Sequence, residues 1–485
     1  MTTSLFRKCA PVVALMGLGL TACQPDLEDD FTPSAGTVDF SRYIAVGNSL
    51  TAGYSDGGLY LEGQQSSYPN LLAGQFRAVG GGDFVQPLFQ TGQENGSGYL
   101  RLTGIVNGSP VTAPVTTNLA LRAGATAARP LYTKYTEPVN NLAVPGIRLS
   151  DIETAGFGNT QTSPSNATTF NSYFERITPD GNNQTYLARV AASNPTFFTN
   201  WLGNNDVLGF ATAGGAANSL TPTATFTDKN NKIVDALTAN GAKGLVATIP
   251  NVTNIPFFTT VGPAFKTTLT AANVPGLVIQ TGAALGGPAS GNRKQITTAD
   301  IRDASGNGRQ LFTLISSPYL ALLNQRSGRA WRYVYSQSGQ PAAGFPLFLA
   351  AYGIDTTATF GTSAGNPIPS LFVLDDVEQG QVLAATTAFN AAITAKANEK
   401  GLAIFDANAF FSRIAAPGSA GIIANGVSNN ANFITGNLFS LDGVHPTPRG
   451  YAFVANEMIK AINTTYGSKI SQVNPNDYRG VKFPQ

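Results

Sequence analysis

The chain carries one histidine, His445, in 485 residues. Any reaction that needs an imidazole as proton acceptor must use it, and a metal site built from several histidines is excluded. An unperturbed imidazole changes charge near pH ~6.5, so it can take a proton from an attacking group and return it to a leaving group. Three residues earlier stands Asp442, a carboxylate able to turn back, hold the ring and stabilise the imidazolium that forms. Pro446 disfavours helix at the residue before it, so Asp442 to His445 is expected as a fixed loop. Such a base could serve a serine hydroxyl, which attacks an acyl carbon at neutral pH only beside one. Ser49 is one serine whose setting suits that role. It follows the apolar run Tyr43-Ile44-Ala45-Val46 and Gly47-Asn48. That places it between a strand end and a helix N-terminus, where the positive end of the helix dipole favours developing negative charge. A serine there also fits an ordinary helix N-cap.

Short continuous apolar runs suit strands buried on both faces, as in a parallel sheet. Besides residues 43–46, four runs qualify: Asn141 to Val144, Thr196 to Leu202, Gly244 to Ile249 and Gly401 to Phe405. Helical patterns lie between some of them. Asp376 is expected to cap a helix with an apolar face of Val377, Val382, Leu383, Phe389, Ile393 and Ala397. Another starts at Thr447 as N-cap with Pro448 at the first position, and runs through Phe453, Val454, Met458, Ile459 and Ile462. Alternation of strand and helix predicts a doubly wound α/β sheet. Residues 84–140 and 255–370 are long stretches rich in Gly, Thr and Pro, with apolar clusters at 318–323 and 345–349. They read as insertions over one core that carry their own short helices.

Four segments fall into a recognisable order: Gly47-Asn48-Ser49-Leu50, then Gly146, then Gly203-Asn204-Asn205-Asp206, then Asp442-Gly443-Val444-His445. This resembles the SGNH, or GDSL-type, hydrolase family, in which four blocks in this order supply Ser, Gly, Asn and His. The resemblance runs from about Phe40 to about Gly467, with the two long stretches unmatched. Val246 to Pro250 and the helix from Val377 to Lys400 also match the family's fourth strand and penultimate helix. It implies a three-layer α/β/α sandwich around a short, mainly five-stranded parallel sheet. It further implies hydrolysis of esters, with Ser49 as nucleophile, His445 as base and Asp442 as its partner. The oxyanion would be met by the N–H groups of Ser49 and Gly146 and the side-chain amide of Asn205, each such donor being worth ~10²–10³ in rate. Gly146 would let substrate approach without a Cβ in the way. Asn205-Asp206 and Pro145-Gly146 also read as plain turn residues. One residue departs from the family: its usual Asp before the nucleophile is Asn48, which alters local hydrogen bonding and not the proton path.

With 42% hydrophobic residues the chain can bury a sizeable core, yet only 12% are charged, about half the usual ~25%. Setting aside Arg7 and Lys8 leaves 28 basic residues against 28 acidic, with no long basic run, so the electrostatic footprint of a nucleic-acid binder is missing. Those two residues form a positive n-region before an apolar stretch, Ala10 to Leu20, too short for a bilayer core of ~30 Å. Leu20-Thr21-Ala22-Cys23 then resembles the lipobox of bacterial lipoproteins, whose cysteine is acylated after cleavage. Residues 1–23 are thus expected to be a signal peptide. Residues 24–39, with acidic Asp26, Glu28, Asp29 and Asp30, follow as a tether, and 40–485 form the hydrolase domain. The acidic stretch also resembles the surface-export signals of some lipoproteins. Gln24 after the lipobox implies an outer-membrane anchor by the same resemblance. Cys9 and Cys23 are the only cysteines, so the mature chain would hold no disulfide and no thiol nucleophile.

The expected substrate is an ester, as a lipid, a short-chain ester or an acylated glycan, with no cofactor and no metal. A deacetylase of polysaccharide and a non-catalytic binding protein on the same scaffold are the alternatives. If His445 is the base, ester hydrolysis rises between about pH 6 and 8 as the imidazole loses its proton. A flat rate across that range contradicts the assignment.

Overall fold

Four of the five apolar runs become strands, buried at every position except the exposed Lys243 and the half-buried Ile404. The computed structural model describes residues 31–106, 109–160, 170–282 and 292–484, so the expected signal segment, Cys23 and residues 24–30 lie outside the described residues. Four parallel strands pair in the order of the chain: β1 (Tyr43–Gly47), β2 (Phe197–Trp201), β3 (Lys243–Ala247) and β4 (Ala403–Phe405). The molecule is therefore a mixed α/β protein on a four-stranded parallel sheet. The expected fifth strand is present only as an edge segment. Ala45 N–H donates to Asn140 O at 2.9 Å, Leu142 N–H to Ala45 O at 2.8 Å and Val144 N–H to Gly47 O at 3.0 Å, which yields a single parallel bridge, Ala45 to Asn141. The next ladder bond, Gly47 N–H to Leu142 O, is replaced by the Tyr186 hydroxyl, which accepts from Gly47 N–H at 3.3 Å and donates to Leu142 O at 2.9 Å, and the chain turns at Pro145-Gly146.

The helices pack in two groups. One holds α3 (Asn205–Thr212), α4 (Thr223–Thr238) and α5 (Asp376–Lys400), and the other holds α2 (Tyr68–Phe76) and α6 (Pro448–Tyr466). Alternate residues of β2 explain the second group. Phe197 meets Phe76 and Tyr466, and Trp201 meets Tyr68. In the first group the rings of Phe226 and Phe389 stack at 3.9 Å, joining α4 to α5.

Two details of α5 correct the sequence reading. Asp375, not Asp376, is the N-cap: its Oδ1 accepts from Val377 N–H and Glu378 N–H, and the Glu378 carboxylate accepts from Asp375 N–H at 2.8 Å. Val377 and Leu383 are more than half exposed. The buried stripe is Val382, Thr386, Phe389, Ile393 and Ala397, spaced by three and four, and Leu383 sits ~100° round from it. The α6 reading holds: Thr447 Oγ1 accepts from Gly450 N–H at 3.1 Å, Pro448 opens the helix, and all five named apolar residues are buried.

The stretch 84–140 folds around an antiparallel hairpin, Tyr99–Val106 with Ser109–Val115, where short helices were expected. The stretch 255–370 does carry short helices, among them Val261–Ala271, and a second hairpin, Gly276–Gln280 with Arg293–Thr297. It packs an apolar cluster of its own that includes Leu269, Leu277, Ile279, Ile296 and Phe312. Among the described residues no helix is long and apolar enough to cross a membrane. Replacing Phe226 by Ala removes a fully buried ring from the α4–α5 contact, at an expected cost of ~3–5 kcal/mol. Denaturant unfolding should show a lower midpoint with an unchanged slope.

Candidate active site

Parallel strands point their carboxyl ends the same way, and here three adjacent ones deliver the candidate residues. The loop after β1 carries Ser49, the turn after the edge segment carries Gly146, and α3 after β2 begins at Asn205. The chain leaves β1 toward one edge and returns to β2 on the other side, so Ser49 lies at the switch point where ligands of open α/β sheets bind. Gly47 permits the sharp exit from the strand, since a Cβ there would lie 1.9 Å from Thr51 Oγ1.

Ser49, His445 and Asp442 form one hydrogen-bonded chain. Ser49 Oγ lies 2.9 Å from His445 Nε2, and His445 Nδ1 lies 2.8 Å from Asp442 Oδ2. Burial pushes Asp442 up, but the His445 ring beside it and the hydrogen bonds it receives bring its carboxyl down to about 2. It is therefore ionised at neutral pH and accepts only, so the shared proton belongs to Nδ1 and Nε2 is left to accept from the serine hydroxyl. Asp442 Oδ1 also accepts from Val444 N–H at 2.8 Å and His445 N–H at 2.9 Å, which closes Asp442 to His445 into the expected loop.

The groups expected to meet an oxyanion come from the Ser49 loop and the loops after its two neighbouring chain segments. The N–H groups of Ser49 and Gly146 make no hydrogen bond among the described residues. Asn205 Nδ2 donates to Ile147 O at 2.9 Å, which leaves its second hydrogen free and ties the third block to the second. Gly146 has φ of +83°, while a Cβ there would meet only Asn171 Nδ2 at 3.5 Å. Its backbone angle, more than any want of room, calls for glycine. The helix at Ser49, α1 (Ser49–Ala52), is one turn long, so it offers unpaired N–H groups and little accumulated dipole. Asn48 caps it, its Oδ1 accepting from Leu50 N–H at 3.0 Å as an Asp would.

Several supporting residues gave no sign in the sequence. Gly57 N–H donates to Asp442 Oδ2 at 2.9 Å, and Ser440 Oγ lies 3.1 Å from Asp442 Oδ1. Asp56 accepts from Leu441 N–H at 3.0 Å and donates its own N–H to Ser440 Oγ at 2.8 Å. The Tyr54 ring stands 4.6 Å from the imidazole. Gly443 O accepts from Phe257 N–H at 2.9 Å, which fastens the histidine loop to the start of the 255–370 stretch. Apart from Ser440 with Asp442, these pairings join residues nearly two hundred or nearly four hundred positions apart, and the turn dipeptide Asp56-Gly57 is the one local signal that could have pointed to a partner.

Among the described residues no group of three or more His, Cys, Asp or Glu is placed to hold a metal ion. Comparison with known proteins finds no matching family model, curated protein or solved structure.

Asp206, beside Asn205, is buried and receives Leu149 N–H at 2.7 Å, Ser150 N–H at 3.2 Å and the Thr221 hydroxyl at 2.7 Å. Burial outweighs these donors and raises its carboxyl from 3.8 to about 6. A raised folded value means the native state holds the proton more tightly. Its contribution is fullest below pH 3.8 and is lost as pH climbs to about 6. About 3 kcal/mol is at stake, at ~1.4 kcal/mol per unit. Relative to the Asp206→Asn variant, unfolding free energy of the native chain should fall by that order across this window. Parallel pH curves contradict the assignment.

Proposed function

We propose that this chain is a serine esterase of the SGNH type, hydrolysing carboxylic esters through an acyl-Ser49 intermediate. The observation that carries the reading is the continuous chain from Ser49 Oγ through both ring nitrogens of His445 to an ionised Asp442. A hydroxyl, an imidazole and a carboxylate in that sequence are what nucleophilic acyl transfer needs.

His445 Nε2 takes the hydroxyl proton as Ser49 Oγ attacks the carbonyl carbon. The oxyanion that forms is received by Ser49 N–H, Gly146 N–H and the free hydrogen of Asn205 Nδ2. Asp442 stays ionised and compensates the imidazolium charge. His445 then passes the proton to the alkoxide that leaves, and water repeats the sequence to release the acid. The fold fits the same reading, with the edge segment as fifth strand and the two helical groups as outer layers of an α/β/α sandwich. A lipid anchor at Cys23 would hold the enzyme at the outer membrane.

The test is hydrolysis of p-nitrophenyl acetate. Ser49→Ala should lower kcat by at least about 10⁴-fold, and Asp442→Asn by about 10⁴-fold through loss of the required tautomer. Equal rates in native protein and Ser49→Ala overturn the proposal.

A further inference from the structure

An open cleft of about 1110 Å³ begins at His445 and Asp442. One wall is the helix Val261–Ala271 with residues 314–324, and the other is the hairpin side chains of Leu100 and Pro110. Apart from Asp442, no charged residue lines it among the described residues. A cleft this large and uncharged suits hydrocarbon. Ser49 and Asn205 do not line it; with Leu208, Ile255 and Phe411 they line a smaller space of about 40 Å³ that adjoins the cleft at Val444 and His445. That volume holds about three water-sized groups.

Ester chemistry assigns the two spaces. The carbonyl carbon must sit at Ser49 Oγ with its oxygen toward the N–H groups and Asn205. The oxygen that leaves must lie within reach of His445 Nε2, because that nitrogen gives it the proton. The substituent on the leaving oxygen therefore extends past the imidazole into the large cleft, while the acyl group stays on the Ser49 side. Resting on the esterase reading above, we infer that the substrates are short-acyl esters of long hydrophobic alcohols, with the alcohol chain in the cleft. The step is ordinary hydrolysis: the acyl–oxygen bond breaks, Ser49 Oγ takes the acyl group, the alcohol leaves with the proton from His445, and water then frees the acid.

Hexyl acetate and ethyl hexanoate are isomers that differ only in which side of the ester carries the chain. Each methylene buried adds about fourfold to kcat/KM. The native protein should prefer hexyl acetate at least tenfold, and should also prefer it to ethyl acetate at least tenfold. Ala264→Trp, which fills the cleft from its exposed helical wall, should cut the hexyl-to-ethyl acetate ratio at least tenfold. The ratio is unaffected by any unfolded fraction. A preference for ethyl hexanoate, or equal rates on the two isomers, overturns the inference while Ser49-dependent hydrolysis of ethyl acetate keeps the esterase reading. Absence of hydrolysis of every ester removes both.

Discussion

Asp442 is a negative charge largely withdrawn from water, and the architecture around it replaces the hydration it lost. Its two oxygens receive the N–H groups of Val444, His445 and Gly57, the imidazole Nδ1–H, and contact with the Ser440 hydroxyl. A buried carboxylate without such partners costs several kcal/mol or takes up a proton. The donors come from two distant parts of the chain, 54–58 and 440–445, so satisfying the charge also fixes the two loops against each other. The imidazole inherits its position from that arrangement, and the serine hydroxyl inherits its partner from the imidazole.

The sheet performs the complementary task of bringing the remaining groups close. Because β1 lies between the edge segment and β2, the loops after all three strands emerge side by side. Packing of large rings such as Trp201, Phe197 and Phe226 keeps these short strands in place. The Asn205 amide and the Asp206 carboxylate then reach across to Ile147 and to Leu149 and Ser150. Neighbouring loops are thus cross-linked by polar contacts as well as supported by the strands beneath.

What could be read in advance follows the range of the forces involved. Four of the five strand runs, the Thr447-Pro448 helix start and the Asp-x-x-His loop are local features, and they appear where local chemistry puts them. The cap at Asp375 was displaced by one residue because two adjacent aspartates offer the same signal; the reciprocal bond with Glu378 decides between them. Val377 and Leu383 belong to the apolar pattern of α5 yet stay more than half exposed, because the width of the buried stripe is set by what packs against the helix. The parts that stayed hidden are long-range. Gly57 and Asp56 recognise the histidine loop across about 385 positions, and no pattern in a single chain encodes which turn meets which loop. The hairpin Tyr99–Val106 with Ser109–Val115 was hidden for a different reason: glycine and proline in that stretch masked its alternation.

The bond from Phe257 N–H to Gly443 O has a consequence for how such a protein diversifies. The residues that begin one wall of the cleft also brace the loop that aims the imidazole. Exchanging the whole 255–370 stretch for another would remove a support of the general base along with the old specificity. New substrates are therefore more easily reached by changing single side chains along the cleft than by swapping the segment, and the architecture favours gradual retuning over modular replacement.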